Sequence, residues 1–244
     1  MVAHGINNIV FSSTAATYGE PESIPIMESD RTQPTNCYGE TKLTMEKMMG
    51  WVGQAHGLKS VALRYFNAAG AHESGTIGEA HGPETHLIPL ILQVPNGQRE
   101  FIGVFGNDYP TKDGTCIRDY IHVSDLAQAH IKAIDYLIAG GESDVFNLGS
   151  GQGFTVNEMI EVARKVTGHP IPVKVSPRRA GDLGGLLFGV GDVADEDDGI
   201  AGVSGGLAGH DHVPHPAFLA VQMEAALKAQ LRAFLPEALG DVAA

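Results

Sequence analysis

From residue 8 to the helix start at Thr155–Glu158, short runs of β-forming apolar residues alternate with longer stretches of helical period, an order best satisfied by helices laid on a mainly parallel sheet. Residues 8–13 (NIVFSS) are apolar and close on small polar residues, as a buried parallel strand does where its carboxyl end meets a ligand. After a loop rich in Pro and Ser, residues 38–56 set Leu43, Met45, Met48, Met49 and Val52 at approximately helical spacing, with Gly50 a weak interruption. Residues 60–66 (SVALRYF) read as the next strand, and a stretch rich in Gly and His then leads to an apolar helix around 86–95. Ser124 caps a further periodic helix over 123–139, residues 144–148 (DVFNL) form a strand, and Thr155 with Glu158 opens another helix by the capping-box rule.

Composition narrows the function classes. The 43% of hydrophobic residues supply a core for one large domain or two small ones. A net charge of −13 argues against nucleic acid or an anionic membrane as partner, while leaving room for a local basic pocket. Cys37 and Cys116 have no CxxC spacing, so reduced thiols in a cytoplasmic protein are expected, and no run is long and apolar enough for secretion or membrane insertion. The chain changes character after Asp182. Residues 183–244 hold 2 basic and 9 acidic residues, and only 217–235 regains a helical period, so 183–215 is expected to be linker or disorder. His210, His212 and His215 lie among Pro214 and Pro216, which break any helical face; a polar loop is expected there, and no metal ligand anywhere in the chain.

Tyr38 and Lys42 stand four apart on the first helix, so both side chains reach one face. A free tyrosine titrates near pH ~10, and a neighbouring ammonium favours its phenolate. By itself the YxxxK spacing also suits a solvated helix turn. Its context is the Ser12-Ser13-Thr14 run at a strand end, 24 residues upstream of Tyr38 counted from Thr14. Together these resemble the Ser/Thr-Tyr-Lys set of the extended short-chain dehydrogenase/reductase family. The likeness continues through FSSTAATYGEP, YGETK, LRYFNAAGAH, FGNDYPTKDGTCIRDYIHVSDLA, NLGSGQGF and PRRAGD, which follow one another as in UDP-glucose 4-epimerases and cover about residues 1–182.

The resemblance implies an α/β fold: the C-terminal part of a doubly wound, Rossmann-like parallel sheet over 1–70, a small substrate-binding α/β region mainly over 71–182, and an atypical tail over 183–244. It implies NAD as cofactor, touched by Ser12, Tyr38, Lys42 and Phe66. Catalysis falls to Thr14, bonded to a sugar hydroxyl, to Tyr38 as acid and base, and to Lys42, which tunes Tyr38 and binds the nicotinamide ribose. For a UDP-sugar the implied residues are Thr14 and Asn67 by the sugar and pyrophosphate, Leu87 and Phe105 near the base, Arg118 and Arg179 on phosphate, and Asp182 on a ribose hydroxyl. Arg forks suit pyrophosphate, although an isolated Arg more often makes a surface ion pair. The implied reaction oxidises the sugar at C4 and reduces it from the opposite face, inverting the 4-hydroxyl with no net redox change. A homodimer is the assembly implied.

Some positions depart from the family pattern. Cys37 replaces the proline usual before the tyrosine, and Thr85-His86 stands where an Asn pair is frequent. Dehydratases and decarboxylases of the superfamily carry an acidic residue just after the Ser/Thr, where this chain has Ala15 and Ala16, which favours epimerisation. No strand with a Gly-rich turn precedes residue 8, so the segment that binds the NAD pyrophosphate is expected to be missing and the unaided chain to be inactive. Gly149-Ser150-Gly151-Gln152-Gly153 has the wrong spacing for that turn and falls in the substrate-binding part. A non-catalytic nucleotide-sugar binder therefore stays open beside the isomerase.

Overall fold

Strand β1 (Asn8–Thr14) pairs in parallel with β2 (Lys59–Tyr65), and β2 with β6 (Asp144–Leu148). The computed structural model describes residues 1–151 and 153–179, together with the backbone of 185 and 186. Because side chains alternate across a strand, this sheet presents two different faces. On one, Val10, Val61, Leu63, Phe146 and Leu148 meet Leu126, Ala129, Ala133 and Leu137 of helix α3 (Val123–Ile138). On the other, Ser13 and Arg64 meet Glu46 of helix α1 (Cys37–His56). One helix on each face makes the sheet doubly wound. Its middle strand is consequently the most enclosed, with Ser60 through Arg64 all buried, and each large apolar side chain sealed there contributes roughly 1.5–3 kcal/mol.

Local chemistry sets the helix limits. The Asn36 side chain accepts a hydrogen bond from Gly39 N–H at 2.8 Å and starts α1, while Gly57 ends it in the left-handed conformation, φ 72°, that a side chain resists. Helix α1 runs through Gly50, where an added Cβ would meet open space. Its cost is therefore the backbone freedom of glycine, about 0.5–1 kcal/mol relative to alanine.

The remaining strands build the region above the carboxyl ends of β1 and β2. Strand β3 (Asn67–Ala69) lies parallel to β5 (Ile117–His122), which pairs antiparallel with β7 (Gly153–Thr155) and parallel with β9 (Gly185–Leu186). Strand β4 (Ile102–Phe105) pairs in parallel with β8 (Val173–Ser176). Helices α2 (Leu87–Leu92) and α4 (Val156–Thr167) close a second core containing Ile88, Ile91, Ile102, Val104, Met159 and Ile160. The capping box that opens α4 is complete: Glu158 N–H donates to Thr155 Oγ1 at 3.1 Å and Thr155 N–H to Glu158 Oε2 at 2.9 Å. The Asp113 carboxylate ties this cap to the start of β5, accepting from the hydroxyls of Thr115 and Thr155.

The α/β architecture with mainly parallel strands agrees with the expected fold class. Helix α2 is shorter than the expected 86–95. The sheet of β1 and β2 takes its third strand from residues 144–148, within the stretch read as mainly substrate-binding. Asp182, the three histidines at 210, 212 and 215, and the expected helix over 217–235 lie outside the described residues. Among the described residues no helix is long and apolar enough to cross a membrane.

Candidate active site

The carboxyl end of β1 runs into a single 3-10 turn (Ala15–Thr17) that Thr14 caps, its Oγ1 accepting from Ala16 N–H at 3.2 Å. The first turn of α1 rests directly on this turn. A Cβ built at Gly39 would lie 2.4 Å from the Ala16 carbonyl oxygen, so only glycine allows that approach. It brings Tyr38, beside Gly39, to the end of β1 with its side chain largely open to solvent at 54% residue exposure. One turn further, Lys42 Nζ donates to the Ser12 carbonyl at 3.0 Å and lies 5.7 Å from the Tyr38 ring centroid. Ser12, Thr14, Tyr38 and Lys42 therefore meet at one corner.

Buried polar groups hold that corner from beneath. Arg64 and Ser13 both donate to the Glu46 carboxylate, with the arginine making two contacts, at 3.1 Å from Nε and 2.6 Å from Nη2. Burial alone would lower the Arg64 pKa, but its bonds to Glu46 and its proximity to Tyr18 raise it above the ordinary value. Tyr18 lies beneath the same guanidinium, 4.8 Å from ring centroid to carbon, and donates its hydroxyl to Asn147 Oδ1 at 2.7 Å. Burial pushes the Tyr18 phenol up, against the pull of Arg64. On the opposite face His130 donates Nδ1–H to the Leu126 carbonyl at 2.7 Å, which leaves Nε2 of the neutral tautomer to accept from the Ser12 hydroxyl at 2.9 Å.

A cleft of about 1230 Å³ lies alongside, and its walls include Phe66, Asn67, Leu87, Phe105, Arg118 and Arg179. That volume exceeds the roughly 300–1,000 Å³ of an ordinary small-molecule pocket and suits an extended ligand. The Asn67 amide donates to the Asp119 carbonyl at 3.0 Å, and Arg118 Nη1 to the Ile117 carbonyl at 2.9 Å. The Arg179 guanidinium carbon sits 3.8 Å from the Phe105 ring centroid. Thr14, Tyr38 and Lys42 are not among the cleft-lining residues. The link is Tyr65, which stands opposite Thr14 in the β1–β2 register and lines the cleft, followed by Phe66, which packs with Ala15, Tyr18 and Ile26.

Several wall residues were not singled out by sequence. Arg99 and Lys174 add positive charge, and Tyr120 is a buried phenol that burial pushes far up, keeping it a neutral hydroxyl. Near the rim, burial lowers the His122 pKa and raises that of Asp125, each partly opposed by the other. Glu79, His81, Glu84 and His86 draw together in the Gly- and His-rich stretch before α2; their spacing, E-x-H-x-x-E-x-H, was the available signal.

The profile of the NAD dependent epimerase/dehydratase family matches residues 1–149. The chain is 62% identical over 187 residues to UDP-glucose 4-epimerase of Halalkalibacterium halodurans, an alignment covering 77% of this chain and 56% of that protein. A crystal structure of a UDP-glucose 4-epimerase matches it with a TM-score of 0.82 at 47% identity, over 96% of this chain and 67% of the other. The Bifidobacterium longum UDP-glucose 4-epimerase in complex with NAD+ and UDP matches with a TM-score of 0.77 at 36% identity, over 96% and 66% of the two chains. The chain thus spans a little over half the length of the curated relatives it matches.

Proposed function

Because this chain belongs to the NAD dependent epimerase/dehydratase family, we propose that it interconverts UDP-glucose and UDP-galactose by inverting the configuration at sugar C4. The observation that carries this reading is the meeting of Thr14, Tyr38 and Lys42 at the end of β1, beside a cleft holding Arg118 and Arg179.

The nicotinamide riboside end of NAD fits this corner. An ammonium has three N–H donors, and the Ser12 carbonyl takes one from Lys42, leaving others for a ribose diol. Ser12 and Phe66 belong to the same cofactor assignment. Bound there, NAD supplies hydride acceptance from, and return to, the sugar C4. Tyr38, an exposed residue, removes the proton from the sugar 4-hydroxyl and later restores it. Since Thr14 Oγ1 already accepts from Ala16 N–H, its own hydrogen is left to donate to the sugar oxygen. Arg118 and Arg179 pair with the pyrophosphate, Asn67 with the sugar side, and Leu87 and Phe105 enclose the base; Asp182, on the ribose, belongs to the same assignment. Ala15 and Ala16 offer no carboxyl group to protonate a leaving hydroxyl, which favours epimerisation over dehydration.

A cytoplasmic, homodimeric enzyme is part of this reading. Cys37 and Cys116 are not joined in a disulfide, in keeping with a reducing compartment. Met45, Met48 and Trp51 are exposed along one side of α1 and offer an apolar face to a second copy.

The test is a coupled assay of UDP-galactose conversion with added NAD, on the chain alone and together with the amino-terminal segment of a relative. Tyr38→Phe should retain UDP-sugar affinity and lower kcat by about 100-fold or more. Near-normal turnover in that variant would remove Tyr38 from its role, and UDP-sugar binding without turnover in either arm would make the chain a binder.

A further inference from the structure

Seventeen residues, 70–86, run between β3 and α2 without a helix or strand, and part of that segment walls the cleft. So long an irregular stretch inside a domain is uncommon unless something anchors or uses it. Within it Glu79, His81, Glu84 and His86 each present one ligand atom, and all four atoms lie within 4.8 Å of one another. We propose that these four side chains form a four-coordinate site for a divalent transition-metal ion of the zinc type, which clips the segment to the start of α2.

The four ligand atoms are gathered closely enough for one small ion to reach them all. Metal–ligand distances of about 2.0–2.2 Å put the ligands of a tetrahedron roughly 3.3–3.6 Å apart. His86 Nδ1 lies 2.7 Å from Glu79 Oε1 and 3.1 Å from Glu84 Oε1, while His81 Nδ1 lies 3.6 Å from Glu84 Oε1. The two imidazoles stack, with centroids 5.1 Å apart and planes 27° apart. Two of the His–Glu pairs are now within hydrogen-bond distance and one is already at the tetrahedral spacing.

The alternative is a cluster of ordinary His–Glu pairs, and charge argues against its being sufficient. Both carboxylates converge on a single nitrogen of His86, whose one Nδ1 proton cannot serve both fully. Two carboxylates are thus held together around one imidazole, and the Glu84 side chain is only 9% exposed. The backbone N–H groups of His86 and Thr85 both donate to Glu84 Oε1 at 2.7 Å. These same N–H groups fix the carboxylate, as outer partners do at metal sites. Two nitrogens and two oxygens suit zinc better than a soft or a purely hard cation, and four filled positions describe a structural ion with no open place for catalysis.

The test uses the full 244-residue chain, stripped with chelator and titrated with Zn2+ and then Co2+. His210, His212 and His215 are replaced by Ala so that stoichiometry reports this cluster. One ion per chain is expected, with the strong visible absorption of four-coordinate cobalt. Glu79→Gln and His81→Ala should each weaken binding by at least ~100-fold while leaving circular dichroism unchanged. Zinc should also slow limited proteolysis within 70–86 of the unsubstituted chain, a readout that survives if a variant misfolds. No saturable binding below about millimolar zinc, a six-coordinate cobalt spectrum, or unchanged affinity in both folded variants would overturn the site. None of these readouts depends on epimerase turnover.

Discussion

Arg64 and Glu46 illustrate how a single buried pair holds the corner where Ser12, Thr14, Tyr38 and Lys42 meet. Their side chains are 6% and 8% exposed, and the pair joins β2 to the helix carrying Tyr38 and Lys42. Glu46→Ala would leave the Arg64 charge buried without its carboxylate, at a cost of about 3–5 kcal/mol. Replacing both partners together, Glu46→Leu with Arg64→Met, removes the uncompensated charge and should recover most of that loss. Urea denaturation of the two proteins checks the contrast; equal destabilisation would mean that packing, and not charge, is what Glu46 supplies. This contact was not legible in the sequence, where SVALRYF reads as an apolar strand and the period of 38–56 is counted on apolar residues alone. Tyr38 and Lys42 were legible as a pair because four residues make one helical turn. That the Lys42 ammonium reaches the Ser12 carbonyl depends on how α1 crosses β1, which no local spacing encodes.

Among the elements, α1 is where the departure from the family pattern can be tested. Cys37 is its first helical residue and exposed, and Asn36 before it has φ −143° and ψ 161°. That extended conformation is what a residue preceding proline requires, and the N–H at the first helical position has no intrahelical acceptor. Cys37→Pro should therefore keep or raise stability, by up to about 1 kcal/mol, whereas Asn36→Ala should lose about 1 kcal/mol with the cap. Thermal melts of the two variants should move in opposite directions or, for the proline, stay level; a large drop with Cys37→Pro would show that the backbone there is not pre-formed for it. The longer helices and the enclosed strands were readable because they hold a period over many residues. Strands β3 and β7 have three residues each and no room for a period, and β5 (IRDYIH) carries polar groups because it borders the cleft. Helix α2 stops at Leu92, short of expectation, because Pro95 lacks an N–H and Gly97 turns left-handed at φ 73°.

At the scale of the whole molecule, charge sets two demands against each other. The chain carries −13, and residues 183–244 account for 7 of those negative charges, so its average field repels an anionic ligand such as the proposed UDP-sugar. The cleft answers locally, with Arg99, Arg118, Lys174 and Arg179 on its walls. Chain order is not spatial order here, since β6 returns from position 144 to complete the first sheet. If the local site governs binding, losing one charge-assisted contact of about 1.5–3 kcal/mol should weaken UDP affinity roughly 10- to 150-fold in Arg118→Ala or Arg179→Ala. Lys47→Ala removes the same charge from the exposed surface of α1, away from the cleft, and should change affinity less than about twofold at physiological salt, where the screening length is about 8 Å. Calorimetric titration with UDP on all three variants separates the two effects. A Lys47→Ala loss as large as that of the arginine variants would mean that overall charge, and not the cleft, controls the affinity.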